Sequence, residues 1–186
     1  MKLKDDDEMV DARLSYEEDM VLLISKEGYY NYYSTELLQD LAPKAQGVAG
    51  INVKKDELAA IVVKHKGSNE ELIISSHLGG FKRIHFSDLE ETSRNAKGSR
   101  LYKQVKSKPH YVLYAKTIKG TTGLMFKDDE GVTNVSDIPF MDLESTFSTP
   151  YKLKENYSFI KEDMSDFEEA LIIDVPKGYF EETDKE

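Results

Sequence analysis

Residues 21–30 read VLLISKEGYY, an apolar run followed by a polar turn with a glycine and then a second, aromatic run. The same order returns about fifty residues later as ELIISSHLGGFK over 71–82, and again as TGLMFKDDEGV over 122–132. A fourth echo, LIIDVPKGYF, occupies 171–180. Each stretch has the local signature of a β-hairpin, and recurrence at a nearly fixed spacing predicts a repeat architecture.

The connectors between the hairpins repeat as well. Residues 44–50 read KAQGVAG, and the related NAKGSRL follows at 95–101, while the opening segment 3–10 resembles 53–59. Because neither end of the chain coincides with the end of a unit, we expect one partial domain, cut from a longer array. That domain covers 1–186, with repeat units at approximately 20–70, 71–120 and 121–168 and incomplete units at 1–19 and 169–186.

Short runs rich in β-branched and aromatic residues predict strands along much of the chain. No segment sustains a 3.6-residue period over three turns, so only brief helical turns are expected, at 34–41 and 87–92. The predicted class is therefore all-β, with four-stranded units stacked side by side in a propeller-like array that covers sheet edges. The predicted strands are 20–25, 29–33, 58–65, 71–76, 81–86, 110–118, 122–126, 131–135 and 170–175.

Charge is distributed unevenly between the units. The whole chain has 25 basic and 35 acidic residues and a net charge of -10, which taken alone argues against a nucleic-acid partner. Residues 71–119, however, carry 10 basic and 4 acidic groups, whereas 1–70 carry 9 and 14 and 120–186 carry 6 and 17. Because salt screens charges beyond roughly 8 Å, the local excess of cations decides what binds there. A polyanion can therefore bind the middle unit.

The residue types exclude several functions. With no cysteine there is no disulfide, thiolate metal site or cysteine nucleophile, and this fits a reducing cytoplasm. The four histidines show no metal-ligand spacing, and no phosphate loop, nucleophile elbow or dinucleotide fingerprint is present. We therefore expect no catalytic residue, no metal and no cofactor on this chain. No stretch approaches the eighteen or so apolar residues that a membrane span needs.

Two stretches have residue types suited to nucleic-acid binding. The densest basic run begins at 93–100 and continues through three further lysines, and such cations contact phosphates when they do not simply line a solvated loop. The aromatic run YYNYY at 29–33 offers rings for base stacking, although alternating aromatics in a strand more often fill an interface between units. From composition alone both interpretations of each stretch stay open.

Four segments resemble a known family. They are GFKR at 80–83, LEETSRNAKG at 89–98, LYKQVKSKPH at 101–110 and KAQGVAGINV at 44–53. The first three resemble the C-terminal domain of the topoisomerase IV A subunit of Gram-positive bacteria. The fourth resembles the glycine-containing blade motif which that domain shares with the gyrase A subunit. The likeness covers roughly residues 1–138.

The resemblance implies a β-pinwheel, a propeller-like disc whose blades exchange strands and whose basic rim binds and bends double-stranded DNA. It implies that the breaking tyrosine, magnesium and ATP belong to other domains of the enzyme and to its B subunit. The glutamine-, arginine- and glycine-rich wrapping box of gyrase is missing, which favours topoisomerase IV. The residues expected on the DNA path are Lys82, Arg83, Arg94, Lys97, Arg100, Lys103, Lys106 and Lys108.

A different function is also compatible with the repeat. Propeller-like arrays serve equally well for protein-protein contacts, with the acidic flanks as the contact surface. An unrecognised hydrolase is disfavoured because no catalytic constellation is present. The protein-contact alternative predicts that charge reversal at Arg94, Lys97 and Arg100 has no effect on DNA binding, whereas the DNA hypothesis predicts that it abolishes binding. The DNA hypothesis also predicts salt-sensitive binding, with a slope of log binding constant against log salt concentration no steeper than about -7.

Overall fold

The computed structural model describes residues 7–42, 45, 47–78, 80–119 and 143, together with the backbone of three strands beyond residue 121. The ordered elements of this part are antiparallel β-strands joined by loops, with two helices of three residues each in the 3-10 conformation. The all-β class predicted from the sequence is confirmed. Neither of these short helices could cross a membrane.

The strand bounds follow the short β-branched and aromatic runs closely. The helical turn expected at 34–41 is present as Thr35–Leu37, and the one expected at 87–92 is shorter and begins earlier, as Phe86–Asp88. The strands of the described part are β1 (Met20–Ser25), β2 (Tyr29–Ser34), β3 (Leu58–Lys64), β4 (Glu71–Ser76), β5 (Phe81–His85), β6 (Ser99–Arg100), β7 (Val112–Ile118), β8 (Thr122–Lys127), β9 (Thr133–Asp137) and β10 (Ile172–Asp174).

These strands form three sheets, each built on one of the predicted hairpins. The hairpins are β1–β2, β4–β5 and β8–β9, and a later strand pairs with the first strand of each. That later strand is β3 in the first sheet, β7 in the second and β10 in the third. The first sheet has a fourth strand, β6, which comes from the connector of the second unit and pairs with β2. Neighbouring units are thus joined by strand exchange.

The fourth echo of the repeat, residues 171–180, contributes to the sheets in a way that its sequence did not predict. Residues 171–180 read as a hairpin, but Ile172–Asp174 form the outer strand of the third sheet, with Ile172 opposite Leu124. Pairing there covers the open edge of β8, as β3 covers that of β1. The third sheet therefore takes a strand from residues assigned to the incomplete unit 169–186. The second half of the predicted hairpin lies outside the described residues.

One apolar core lies between the first and second units. The side chains that form it come from both sheets and from the connector that follows β5, and the Tyr32 and Phe86 rings meet at 5.8 Å between centroids. Four residues of the run YYNYY, Tyr30 to Tyr33, are buried. This confirms that aromatics of the run fill an interface between units, and only Tyr29 remains half-exposed.

A buried donor holds the connectors onto the first hairpin. The Asn31 side chain is fully buried, and its Nδ2 donates to the carbonyl oxygens of Gly50 at 3.2 Å, Ser93 at 3.4 Å and Ala96 at 3.1 Å. Gly50 belongs to the first connector, whereas Ser93 and Ala96 belong to the second. A single amide on β2 therefore holds the connectors of two units, next to the residues of β2 that pair with β6.

Gly98 allows the second connector to approach this hairpin closely. Its backbone has a φ of +79°, and a Cβ at this position would lie 2.0 Å from the Tyr30 carbonyl oxygen. A side chain therefore meets both conformational strain and a backbone atom that cannot move aside without displacing β2. The glycine is required for β6 to pair with β2.

We expect Gly98→Ala to lower the unfolding free energy by more than about 3 kcal/mol, because backbone strain and steric overlap combine. Two alanine variants separate these causes in urea denaturation. Gly67 has a φ of +71° but free space around the Cβ position, and Gly67→Ala should cost about 1 kcal/mol. Gly47, the repeat counterpart of Gly98, has free space and no positive φ, so Gly47→Ala should change little. Equal losses in the Gly98 and Gly67 variants would contradict the close approach.

Candidate nucleic-acid interface

Six of the predicted cations lie on the connector between β5 and β7, and all six are exposed. No aspartate or glutamate occurs from residue 92 to residue 119, so no acidic side chain of this stretch neutralises them. We call these six residues the cationic strip: Arg94, Lys97, Arg100, Lys103, Lys106 and Lys108.

The backbone of the strip is fixed against the first unit. Thr92 N donates to the Tyr32 carbonyl at 2.7 Å, and Leu101 N donates to the Gly28 carbonyl at 2.9 Å. Between these points β6 pairs with β2, and Leu101 is fully buried. The cations therefore project from a segment whose backbone is held by the neighbouring sheet, which limits the entropy lost when they bind a ligand.

Arginines of the strip are held individually. Arg94 Nη1 donates to the Ala49 carbonyl at 2.9 Å. Arg100 donates from Nη1 to the Glu27 carbonyl at 3.2 Å and from Nη2 to the Tyr29 hydroxyl at 2.7 Å. The guanidinium carbon of Arg100 lies 4.1 Å from the centroid of the Tyr29 ring, and Lys97 Nζ lies 5.3 Å from the same centroid. Tyr29 thus contacts two cations of the strip.

Lys103, Lys106 and Lys108 lie on a loop at the end of the strip, which we call the lysine loop. Gln104, a residue that the sequence did not single out, closes this loop. Its Nε2 donates to the Glu27 carbonyl at 3.2 Å and to the His110 carbonyl, while its Oε1 accepts from His110 N at 2.8 Å. A tight turn, in which Lys108 N donates to the Val105 carbonyl at 3.1 Å, completes the loop. An uncharged side chain inside a basic run gives no sequence signal of this role.

Lys82 and Arg83 do not belong to the strip, and the sequence prediction is corrected for both. Lys82 is fully buried, and its Nζ donates to the carbonyl oxygens of Leu101, at 2.9 Å, and Leu143. Arg83 is buried beside Glu71, whose Oε2 accepts from Nε at 2.9 Å and from Nη2 at 2.6 Å. Because residues 81–84 of β5 are buried on both faces, these cations stabilise the protein interior instead of facing a phosphate.

His110 lies beneath the lysine loop as a neutral side chain. Its Nδ1 is 2.8 Å from the Ser76 hydroxyl, and burial lowers the pKa of His110 below its ordinary value of 6.5. The nearby His77 and Lys108 charges lower this pKa further. Burial also raises the pKa of Tyr102, whose hydroxyl donates to the His110 carbonyl at 2.9 Å. The support of the loop is therefore uncharged at neutral pH.

Comparison with known proteins places this geometry in a family. The family model described as the DNA gyrase C-terminal domain, beta-propeller, matches residues 19–63 and 70–119, which together make up just over half of the chain. The chain belongs to this family. Within the part that the structure describes, no group of three or more histidine or acidic side chains could hold a metal ion.

Among the similar proteins are A subunits of topoisomerase IV. The DNA topoisomerase 4 A subunit of Staphylococcus epidermidis (strain ATCC 12228 / FDA PCI 1200) is 31% identical over 119 residues, which is 64% of this chain and 15% of the relative. Its counterpart from Staphylococcus aureus (strain MSSA476) is 27% identical with the same coverage. The matched stretch thus spans 15% of the length of these curated relatives, and the resemblance noted in the sequence is confirmed.

Two solved structures confirm the β-pinwheel fold. The crystal structure of the C-terminal domain of DNA topoisomerase IV superposes with a TM-score of 0.72 at 21% identity, covering 83% of this chain and 49% of that one. The DNA gyrase A C-terminal domain has a TM-score of 0.62 at 17% identity, covering 85% of this chain and 54% of that one. At these identities the likeness concerns the fold alone.

Replacing either partner of the Arg83–Glu71 pair should destabilise the protein. Arg83→Met and Glu71→Gln each remove an ion pair between two largely buried side chains, at a cost of about 3 kcal/mol. The double variant should lose less than the sum of the two single losses in urea denaturation. The contrary outcome is that Arg83→Met leaves stability unchanged and makes the plot of log DNA-binding constant against log salt concentration shallower. In that case Arg83 faces DNA, and its assignment to the protein interior is wrong.

The low pKa of His110 predicts a loss of stability in mild acid. Between 6.5 and the lower folded pKa, the unfolded chain binds the proton and the folded chain does not, so the unfolding free energy falls as pH falls. His110→Gln should flatten this dependence between about pH 7 and pH 5, measured by urea denaturation at each pH. The same substitution at the exposed His85 is the control. An unchanged pH dependence in His110→Gln would exclude the buried histidine as its source.

Proposed function

We propose that this chain is a non-catalytic DNA-binding and DNA-bending module of a type IIA topoisomerase, part of a topoisomerase IV A subunit. The observation that carries the proposal is the cationic strip, six exposed cations on a segment without any acidic residue, held on the edge of a pinwheel sheet. Membership in the gyrase C-terminal domain family supports it. The names of the staphylococcal relatives favour topoisomerase IV.

Binding would depend on phosphates and shape. Lysine and arginine neutralise phosphate charges and release condensed counterions, whereas no element of the described part has the form of a helix that reads bases in a groove. A duplex that follows a line of cations around a rim must bend, and the energy of bending depends on its sequence-dependent stiffness. The expected result is weak, salt-sensitive binding with little base preference.

In the complete enzyme this module would present DNA to active sites located elsewhere. Decatenation and relaxation require DNA cleavage and ATP hydrolysis, and we assign the cleaving tyrosine, magnesium and ATP to other domains and to the B subunit. The proposed location is the cytoplasm and the proposed process is chromosome segregation. Because the wrapping box of gyrase is missing from the sequence, we do not propose that this module wraps DNA strongly with a fixed handedness.

A protein-contact role is the second candidate, because the first connector exposes apolar side chains. Leu38 is 38% exposed, whereas Leu89, 51 positions later, is 6% exposed beneath the first unit. Leu41 and Val48 are exposed as well. Such residues fit contact with another protein surface better than contact with DNA.

Reversing three charges of the strip should abolish DNA binding. The variant Arg94→Glu, Lys97→Glu, Arg100→Glu replaces attraction by repulsion where the backbone is most firmly held. We expect fluorescence anisotropy with a labelled duplex of about 40 base pairs to give a salt slope no steeper than about -5 for the unaltered chain, since six phosphate contacts are available. The triple variant should show no binding at the same salt concentrations.

A second triple variant controls for net charge. Arg13, Lys66 and Lys119 are exposed, and Lys66 and Lys119 adjoin the ends of β3 and β7 that are remote from the hairpin turn beside Arg100. Changing these three residues to glutamate alters net charge by the same amount. Equal weakening by both triple variants would mean that overall charge, not the strip, governs binding. No binding by the unaltered chain at low salt would favour the protein-contact role.

A further inference from the structure

We infer that Tyr29 is a positioning residue for DNA, which holds Arg100 and Lys97 as a ready-made phosphate clamp. The inference rests on the proposed function and assigns it an anchor within the cationic strip. Tyr29 itself carries no charge, and its sequence neighbours fill the core, so the aromatic run alone does not point to this role. The contacts of the Tyr29 ring and hydroxyl with Arg100 and Lys97 indicate this role.

Strand exchange brings the clamp together. Tyr29 is the first residue of β2, and Arg100 of the second unit lies directly opposite it in the β2–β6 pair. Side chains at opposite positions of an antiparallel pair have Cβ atoms about 5 Å apart, close enough for sustained contact. The guanidinium at 4.1 Å and the Lys97 ammonium at 5.3 Å from the ring centroid are within the range of cation–π attraction. One ring therefore orients two cations from another unit.

The hydrogen bonds of Arg100 leave it able to bind a phosphate. Its guanidinium has five N–H groups, of which one on Nη1 faces the Glu27 carbonyl and one on Nη2 faces the Tyr29 hydroxyl. Three donors remain on an exposed side chain, enough for a bidentate contact with phosphate oxygens. Because the side chain is already oriented, less conformational entropy is lost on binding.

Other cations of the strip lack this support. Arg94 donates to one backbone carbonyl, and within the described residues no hydrogen bond, ion pair or ring contact holds the side chain of Lys103, Lys106 or Lys108. Long unrestrained lysines lose side-chain entropy when they bind. The Arg100–Lys97 pair should therefore contribute more affinity per phosphate contact than the lysine loop does.

Direct stacking of Tyr29 on a DNA base is the competing role for the same ring. The ring is half-buried and contacts two cations, which leaves little of it for a base. The two roles predict different couplings. A positioning ring has no effect once its cations are removed, whereas a stacking ring retains its effect.

The test uses the complete 186-residue chain and the labelled duplex. Tyr29→Ala should weaken binding about tenfold and Tyr29→Phe, which loses only the hydroxyl, about two- to threefold. The salt slope of Tyr29→Ala should stay parallel to that of the unaltered chain, because the cations remain present. Arg100→Gln should instead make the negative slope shallower by about 0.9, because one phosphate contact is lost. Tyr16→Ala, a variant of a tyrosine that is 70% exposed and contacts His65, is the matched control.

Two readouts decide the outcome. In an Arg100→Gln, Lys97→Gln background, Tyr29→Ala should have no further effect, and a persisting effect would overturn the positioning role. Without DNA, we expect heteronuclear NMR relaxation to show that the Arg100 Nε–H bond is as rigid as the backbone in the unaltered chain and mobile in Tyr29→Ala. A mobile Arg100 in the unaltered chain, or full affinity of Tyr29→Ala, would also overturn the inference. If the unaltered chain binds no DNA, the proposed function itself fails.

Discussion

A buried hydrogen-bond donor on the second strand of each of the first two hairpins is the interaction that joins these two units. In the first unit this donor is Asn31, opposite Leu23, and in the second unit it is Lys82, opposite Ile74 and 51 positions further along. Asn31 binds the carbonyls of Gly50 and Ser93, and Lys82 binds those of Leu101 and Leu143, which stand 51 and 50 positions later. The same contact therefore recurs with a different side chain. Unmet carbonyls at this depth would be costly, so the donor fixes where the connectors cross the sheet.

This recurrence explains which parts of the molecule the sequence could predict. The sequence predicts the strands rich in β-branched and aromatic residues, because the residue types that favour strands are also the ones that are buried there. The family resemblance places Lys82 on the DNA path, yet its position in the repeat matches that of Asn31, inside a strand whose counterpart holds buried tyrosines. The two polar residues of β6, Ser99–Arg100, carry no strand signal of their own. They form a strand because Gly98 lets them reach β2, a tertiary effect that propensity does not contain.

The chain separates its cations by task. Buried ones, Lys82 and Arg83, bind carbonyls and a carboxylate inside the protein, and the six of the strip remain at the surface. A net charge of -10 does not oppose this arrangement, because at physiological salt the field of a charge is screened within roughly 8 Å. The local excess of cations, and not the net charge, therefore governs the electrostatic field along the strip.

Strand exchange also determines where a cationic strip can arise. Its backbone lies where the connector of one unit covers the hairpin of the unit before it, so the charge of each connector decides the character of one segment of the rim. The second connector places six cations at such a crossing, over 94–108, whereas its counterpart 51 positions earlier, 43–57, contains three lysines and two acidic residues. Gly98 and Leu101 pack against the first unit, whereas the side chains of Lys103, Lys106 and Lys108 make no hydrogen bond or ion pair within the described residues. Substitutions at these three lysines can therefore change the polyanion affinity of one rim segment without altering the contacts that hold the units together, whereas Arg94 and Arg100 also bind carbonyls of the first unit.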